Sequence, residues 1–456
     1  MRVLTICEFD RLVCDPGVVG PDCHCVPVQD FDWLRGHRDG MGLARAAGLL
    51  ATEGRSTTLL QITERKGRPA LRAINYAGVL QTPGGLILEI LPKTYDRRDD
   101  PELIAKWRGV LIRMLAAAGP LPIRAAFDHT SLQSIPGNLP DTLIKRFLDA
   151  TASATRSGLG ENYIRRRERS ESLRGRIDMQ RQMRDHQTGV HRLHIEYDEL
   201  SANTSENRLL RSALERVRTM PSLSGDAQKS LSELLFYFKD ISASANQAAD
   251  FRRWRDDRGR PKHARLRQWC ELILSGERPA YMRGAAPGIS LMFPVERLFE
   301  AYFAAWIRRR LPPDARLRVG DTSIHLARFA PSNSEARDCF VLKPDFIVSR
   351  AGRPLAVLDT KWKRLKSGTA NHGLSREDLY QIFAYSHRYF VESGECLLVY
   401  PASPAFPECA GPYVLGEGRR LWIAPFDPFH DTLKLPSELL SGSDSVWSQI
   451  TGAAAL

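Results

Sequence analysis

The sequence predicts an α+β protein in three parts: a β-rich N-terminal domain over 1–125, a helical, arginine-rich region over 126–285, and an α/β domain over 286–456. Three observations predict it. Before 125, short apolar runs are broken by Gly67-Arg68-Pro69 and Pro83-Gly84-Gly85, the punctuation of strands and turns. From 126 to 285, apolar residues recur at helical spacing in a polar background. After 286, a helix, several strands, a helix and a strand follow one another in the order of a compact α/β unit.

In the first part, Thr57–Thr63, Ala70–Tyr76 and Leu86–Leu91 are strand-like. A helix is expected over Arg35–Ala51, and a second over Pro101–Ala118, where Asp-Asp-Pro gives a start signal. In the second part, Pro140–Ser157, Glu206–Met220 and Gln228–Asp240 carry the helical period. Two arginine-dense stretches lie here. Tyr163–Arg184 holds Arg165, Arg166, Arg167, Arg169, Arg174, Arg176, Arg181 and Arg184, with Glu168 and Glu171 to offset them. Phe251–Trp269 holds Arg252, Arg253, Arg255, Arg258, Arg260, Lys262, Arg265 and Arg267, with Trp254 and Trp269 interleaved and Asp256 and Asp257 to offset them in part. A solvated helix face and a DNA-backbone contact both explain such runs. The second stretch, where basic residues most outnumber acidic ones, is the DNA-binding candidate. Contacts of that kind add affinity without sequence readout.

In the third part, Pro294–Leu311 reads as a helix with proline in its first turn. Strands follow near Arg316–Val319 and Thr322–Ala327, then a pair at 341–348 and 354–361, a helix over Arg376–Val391 and a strand at Cys396–Tyr400.

The chain's 456 residues, 43% hydrophobic and 26% charged, suit a globular protein of two to four domains. No apolar run approaches the ~20 residues that span a bilayer. The opening MRVLTICEFDRL has acidic residues where a signal peptide has its apolar core, so a cytoplasmic location is expected. A net charge of +12, carried largely by arginine, favours a phosphate-bearing partner. The eight cysteines form no disulfide framework. Cys14, Cys23 and Cys25, with His24 and His37, cluster, but Cys-x-Cys lacks the gap of a zinc knuckle, and reduced thiols are expected.

Val341–Lys363 carries the chemistry. Asp345 belongs to the first strand of the pair, and Asp359 and Lys361 stand near the end of the second. Side chains alternate along a strand, so Asp359 and Lys361 share a face and Thr360 points away. The Ser349–Pro354 turn makes the strands neighbours, so Asp345 and Asp359 converge. Two adjacent carboxylates repel, and a divalent cation relieves this; Mg²⁺ prefers oxygen and retains water ligands, with Mn²⁺ a possible substitute. The Thr360 carbonyl is a further candidate ligand. Such a metal activates water and neutralises charge on a phosphate; Lys361 would orient the water and stabilise the phosphoryl oxygens. Glu296 and Glu300, four apart on one helix face, are alternative third carboxylates. Gln381 and Tyr385 are likewise four apart on the later helix, for which Ser375 is the N-cap candidate. An acidic-x-Lys triplet is cheap, and Glu64-Arg65-Lys66 is another. Only the later one has a glutamate helix and a Pro-Asp strand ahead of it and a Gln-x-x-x-Tyr helix behind.

Pro344-Asp345, Asp359-Thr360-Lys361 and Gln381…Tyr385 resemble the PD-(D/E)xK nuclease superfamily, in its RecB-like form with a Gln-x-x-x-Tyr helix. More narrowly, Asn75–Lys93, Leu173–Ile177, Phe293–Tyr302, Leu358–Lys363 and Asp378–Tyr385 resemble the McrC family, the nuclease subunits of McrBC-type modification-dependent restriction systems. The resemblance implies a restriction-endonuclease-like C-terminal fold and a Mg²⁺-dependent endodeoxyribonuclease acting on double-stranded DNA. Asp345, Asp359 and Lys361 would be catalytic, with Glu300 the favoured helix carboxylate. It also implies an N-terminal domain docked on a ring of McrB-like AAA+ GTPase subunits that read 5-methylcytosine. The chain has no G-x-x-x-x-G-K-[ST] loop, which places any nucleotide-driven motor on another chain. A stand-alone RecB-like nuclease and an inactive DNA-binding adaptor are the alternatives. The intact Asp345, Asp359 and Lys361 count against the adaptor.

Overall fold

The computed structural model describes residues 3–36, 58–92, 101–118, 139–156, 158–185, 192–220, 223–254, 261–274, 290–331, 335–416, 418–441 and 445–452. They fall into two compact units. One combines segments before 136 with segments after 290; the other is built from segments between 137 and 289.

The first unit begins with β1 (Val3–Cys7), β2 (Arg11–Val13), β3 (Cys23–Cys25), α1 (Val28–Gly36), β4 (Leu60–Arg65), β5 (Arg68–Ala73), β6 (Tyr76–Gln81), β7 (Ile87–Leu91) and α2 (Pro101–Ala118). β3, β2, β5 and β4 form a small sheet. Its β4–β5 hairpin turns on Lys66 and Gly67, both at positive φ (49° and 71°), the conformation a two-residue turn demands. Of the helix expected at Arg35–Ala51, only Arg35 and Gly36 lie within the described residues, at the end of α1. α2 matches its expected bounds. Its Arg108 binds the fully buried Glu89 of β7 through Nε at 2.7 Å and Nη2 at 2.6 Å.

The second unit holds α3 (Leu139–Thr155), β8 (Asn162–Ser170), β9 (Arg176–Ile177), α4 (Met179–Asp185), β10 (Leu193–Ser201), α5 (Ser205–Arg218), α6 (Gly225–Tyr237), α7 (Gln247–Arg253) and α8 (Pro261–Leu274). The helices with the clearest period form as expected: Leu209, Leu210, Ala213, Leu214 and Val217 bury one face of α5, capped by the Thr204 hydroxyl. The helical reading of the whole region is corrected by the β8-β10-β9 sheet. The first half of the first arginine stretch, Arg165 to Arg169, runs along β8, where Arg167 stands opposite Glu196 of β10. Glu196 takes Arg165 at 2.9 Å, Arg167 at 3.0 Å and Arg176 at 2.7 Å, so cross-strand charge pairing holds this strand.

The first unit resumes with β11 (Ser290–Pro294), α9 (Val295–Arg310), β12 (Ala315–Val319), β13 (His325–Phe329), β14 (Arg337–Val341), β15 (Phe346–Arg350), β16 (Arg353–Thr360), α10 (Arg376–Tyr389), β17 (Gly394–Pro401), β18 (Ala410–Gly416), β19 (Arg419–Asp427), β20 (Thr432–Leu433), α11 (Ser437–Leu440) and α12 (Val446–Thr451). A seven-stranded sheet runs β12-β15-β16-β17-β19-β18, with β20 on β19; β16, β17 and β19 are parallel. Such strands are covered on both faces, and theirs are apolar runs. Ile382 and Tyr385 of α10 pack with Ile347, Val357 and Leu398 on one side. Phe303 and Trp306 of α9 meet Phe346 and Phe426 on the other.

Residues 1–125 and 286–456, expected as separate domains, thus contribute to one unit. β11 closes the N-terminal sheet in the order β1-β7-β6-β11. Met292 of β11 joins a core with Ile6, Leu80, Leu88 and Ile90. Trp107 of α2 meets Phe429 at 4.5 Å between ring centres, and Arg113 donates to Tyr302 Oη (3.1 Å) and the Pro428 carbonyl (2.6 Å). None of this long-range pairing has a local signature. No helix of the described residues is long and apolar enough to cross a membrane.

Candidate active site

β15 and β16 form a hairpin turned on Ala351 and Gly352, at φ of 49° and 79°. Phe346 pairs with Leu358, so the register continued by one residue sets Asp345 opposite Asp359. The first strand starts later than expected and the second is shifted by one residue, so Asp345 just precedes β15 and Lys361 just follows β16.

Asp345 Oδ2 accepts from the Thr360 amide and from Thr360 Oγ1, each at 2.7 Å. This corrects the expectation that Thr360 points away. It is the last residue of the strand, and the Asp345 carboxylate reaches its edge where the pairing with β15 has ended. Asp359, 1% exposed, lies 2.6 Å from Lys361 Nζ through Oδ2. Lys361 Nζ donates to Gln381 Oε1 at 3.0 Å, and Gln381 Nε2 donates to Tyr385 Oη at 2.7 Å. Tyr385 Oη in turn donates to the Lys343 carbonyl at 2.9 Å. One turn of helix separates Gln381 from Tyr385, so α10 presents them together. The Ser375 hydroxyl caps that helix by accepting from the Asp378 amide at 3.2 Å.

Burial is the main cause that pushes the Asp359 carboxyl up to about 7; the Asp345 charge adds to it and Lys361 opposes it. For Lys361, burial works against the ammonium, but the Asp359 carboxylate outweighs it and the net shift is upward. Burial raises Tyr385 to about 12, which keeps it a neutral donor. Asp378 is a member of this site that the sequence reading missed. Buried at 4% exposure, it takes Lys363 Nζ at 2.8 and 3.0 Å and Tyr400 Oη at 3.2 Å. Burial opposes its charge, but its bonds to Lys363 and Ser375 hold it below the ordinary range. The available signal was its place three residues before Gln381, with Lys363 two residues after Lys361.

A hard cation fits this donor set. The Asp359 carboxylate is buried with Lys361 Nζ against its Oδ2, and the charge of a second carboxylate, Asp345, acts on it, so two hard oxygen donors face one another. Glu296 and Glu300 are not gathered with them: among the described residues no three His, Cys, Asp or Glu side chains are grouped to hold a metal. Glu300 instead accepts from Arg297 Nη1 at 3.0 Å, one turn away on α9.

Of the DNA-binding candidates, Arg252, Arg253 and Arg267 have described side chains. Arg252 and Arg253 are exposed in the last turn of α7. Arg267 pairs with Glu271 at 2.9 Å. Arg255, Arg258 and Arg260, and the side chains of Lys262 and Arg265, lie outside the described residues. Trp254 and Trp269, interleaved with these residues in the sequence, are buried.

Residues 71–401 match the family model for McrBC 5-methylcytosine restriction system components. No curated protein matches the chain. Among solved structures, one similar chain belongs to a half-complex from a tetradecameric assembly of Thermococcus gammatolerans McrB AAA+ hexamers with bound McrC. The match has a TM-score of 0.66 and 19% identity over 93% of this chain and 94% of that one. Another belongs to the Thermococcus gammatolerans McrBC complex, at a TM-score of 0.48 and 19% identity over 68% of this chain and 88% of that one.

Proposed function

Because the chain belongs to the family of McrBC 5-methylcytosine restriction system components, we propose that it is the DNA-cutting subunit of such a system, working with a separate McrB-like AAA+ GTPase ring. The observation that carries this is the convergence of Asp345, Asp359, Lys361 and Gln381 at the end of one hairpin. Asp345 and Asp359, with the Thr360 carbonyl as a further donor, would hold Mg²⁺. When bound, that ion supplies charge neutralisation at the phosphate and a more acidic water.

The remaining work falls to the chain's own groups. Thr360 fixes the Asp345 carboxylate through two donors. Gln381 holds the Lys361 ammonium in place, and Tyr385 holds Gln381. Lys361 thereby presents a fixed positive charge toward the developing phosphoryl oxygens, with little reorganisation at the moment of reaction. The exposed Arg252 and Arg253 supply sequence-independent backbone contacts in this reading.

The test is cleavage of 5-methylcytosine-containing plasmid with Mg²⁺, with and without the AAA+ partner. Asp359→Ala and Lys361→Ala should stop cutting and still bind the partner. Continued cutting by both variants would remove the site from the mechanism.

A further inference from the structure

Glu8 is a buried carboxylate that the chemistry above does not use. It follows β1 directly and is 1% exposed. Its two oxygens serve two different segments. Oε1 accepts from the Asn75 amide at 3.1 Å, and Oε2 accepts from the Trp362 indole at 2.7 Å. Trp362 is the residue after Lys361, and its ring meets Phe299 of α9 at 5.1 Å between centres. Asn75, held at φ 63°, passes the connection on: its carbonyl accepts from the amide of Val295, the first residue of α9, at 3.0 Å. One carboxylate thus ties the N-terminal sheet to the end of the Asp-x-Lys strand and to the start of the helix behind it.

The backbone of that strand end is held by the Asp345 carboxylate, through the Thr360 amide, and by β17. The Lys361 amide donates to the Val399 carbonyl at 2.9 Å, and regular strand structure stops at Thr360. The indole bond to Glu8 is the next anchor along the chain. Both donors to Glu8 are N–H groups that need an acceptor. A carboxylate provides two acceptor oxygens; a glutamine provides one and turns an amine toward the other donor.

We propose that Glu8 is a positioning residue for the nuclease site, holding Lys361 in register through Trp362, so that the N-terminal sheet is part of the catalytic scaffold. This rests on the active-site reading above. The test uses the full chain with its AAA+ partner and compares Glu8→Gln, Trp362→Phe, the double variant and Asp359→Ala. Trp362→Phe keeps an aromatic ring against Phe299 and removes the indole donor together with part of the ring volume, and it tests the bond even where Glu8→Gln folds poorly.

Each single variant should cut about tenfold more slowly at saturating DNA, the loss expected when a hydrogen bond to a charged group that holds a catalytic strand is removed. The double variant should be no slower than the worse single one, because each breaks a link in the same chain of bonds from Asn75 through Glu8 to Trp362. Stimulation of the partner's nucleotide hydrolysis should be unchanged. Amide hydrogen exchange over residues 359–363 should quicken in both single variants, a readout independent of cutting. Wild-type cleavage with unchanged exchange in Trp362→Phe, or losses that simply add in the double variant, would overturn the proposal. The active-site reading fails separately: Asp359→Ala would then still cut, whatever the Glu8 variants do.

Discussion

Thr360→Val tests whether the Asp345 carboxylate must be held as the structure holds it. Thr360 is 2% exposed and sends two donors to one oxygen, Asp345 Oδ2, its amide and its hydroxyl each at 2.7 Å. Valine keeps the β-branched shape that suits a strand and removes only the hydroxyl donor. The remaining amide still satisfies Oδ2, so the change leaves no orphaned acceptor and the fold should persist. What is lost is one hydrogen bond to a charged group, worth roughly 1.5–3 kcal/mol. If all of it orients Asp345 in the transition state, cutting falls by about ten- to 150-fold. The assay is the rate of plasmid linearisation with the AAA+ partner across a Mg²⁺ titration, beside Thr360→Ser, which keeps the hydroxyl. The valine variant should be slow and need more Mg²⁺, and the serine variant should track wild type. Equal rates and equal Mg²⁺ midpoints for valine and wild type would refute the reasoning, as would a serine variant as impaired as valine.

Lys361→Met keeps the length of the side chain without its charge; cleavage should fall by about 10²–10³, the usual loss of one preorganised electrostatic group, while partner hydrolysis rates stay level. Arg108→Met strips both guanidinium bonds from the fully buried Glu89, and a loss of about 3–5 kcal/mol should appear as a large drop in melting temperature. Burial, against the lesser pull of Trp362, Asn75 and Arg72, raises Glu8 from 4.5 to about 7. The unfolded chain therefore ionises first, and stability contributed at this position declines as pH climbs from about 4.5 to about 7, by roughly 3 kcal/mol in all. Thermal melts of Glu8→Gln and wild type should accordingly differ in pH dependence across this window, wild type losing ground toward pH 8; parallel curves would contradict it.

Much of the site was legible because its signals are local. Asp345, Asp359 and Lys361 come from one hairpin, and Gln381 and Tyr385 from one helix face, so period and turn chemistry suffice to gather them. Thr360 was misread because alternation describes the middle of a strand, and Thr360 stands at its end, where the Asp345 carboxylate takes over from the ladder. The β8 strand was hidden by arginines on both faces, which erase the polar–apolar alternation that would have marked it; only its pairing with Glu196 explains it. Trp254 and Trp269 stand among the arginines of the second stretch but are buried, which composition does not report. Glu8, and the bonding of β11 to β6, have no sequence signal, since each depends on partners hundreds of residues away.

The placement of β11 also bears on how the chain is made. The ribosome delivers β1, β6 and β7 long before residue 290 emerges, and until then β6 has no neighbour on one side. An open strand edge of this kind is a template for unwanted pairing. Meanwhile the segments of 137–289, all local in the chain, can close into their own unit during synthesis. The unit that carries the candidate site must therefore finish last, its first half waiting on the ribosome for its second. Slowing translation between residues 92 and 290 should lengthen that wait and favour aggregation of nascent chains over yield of active protein.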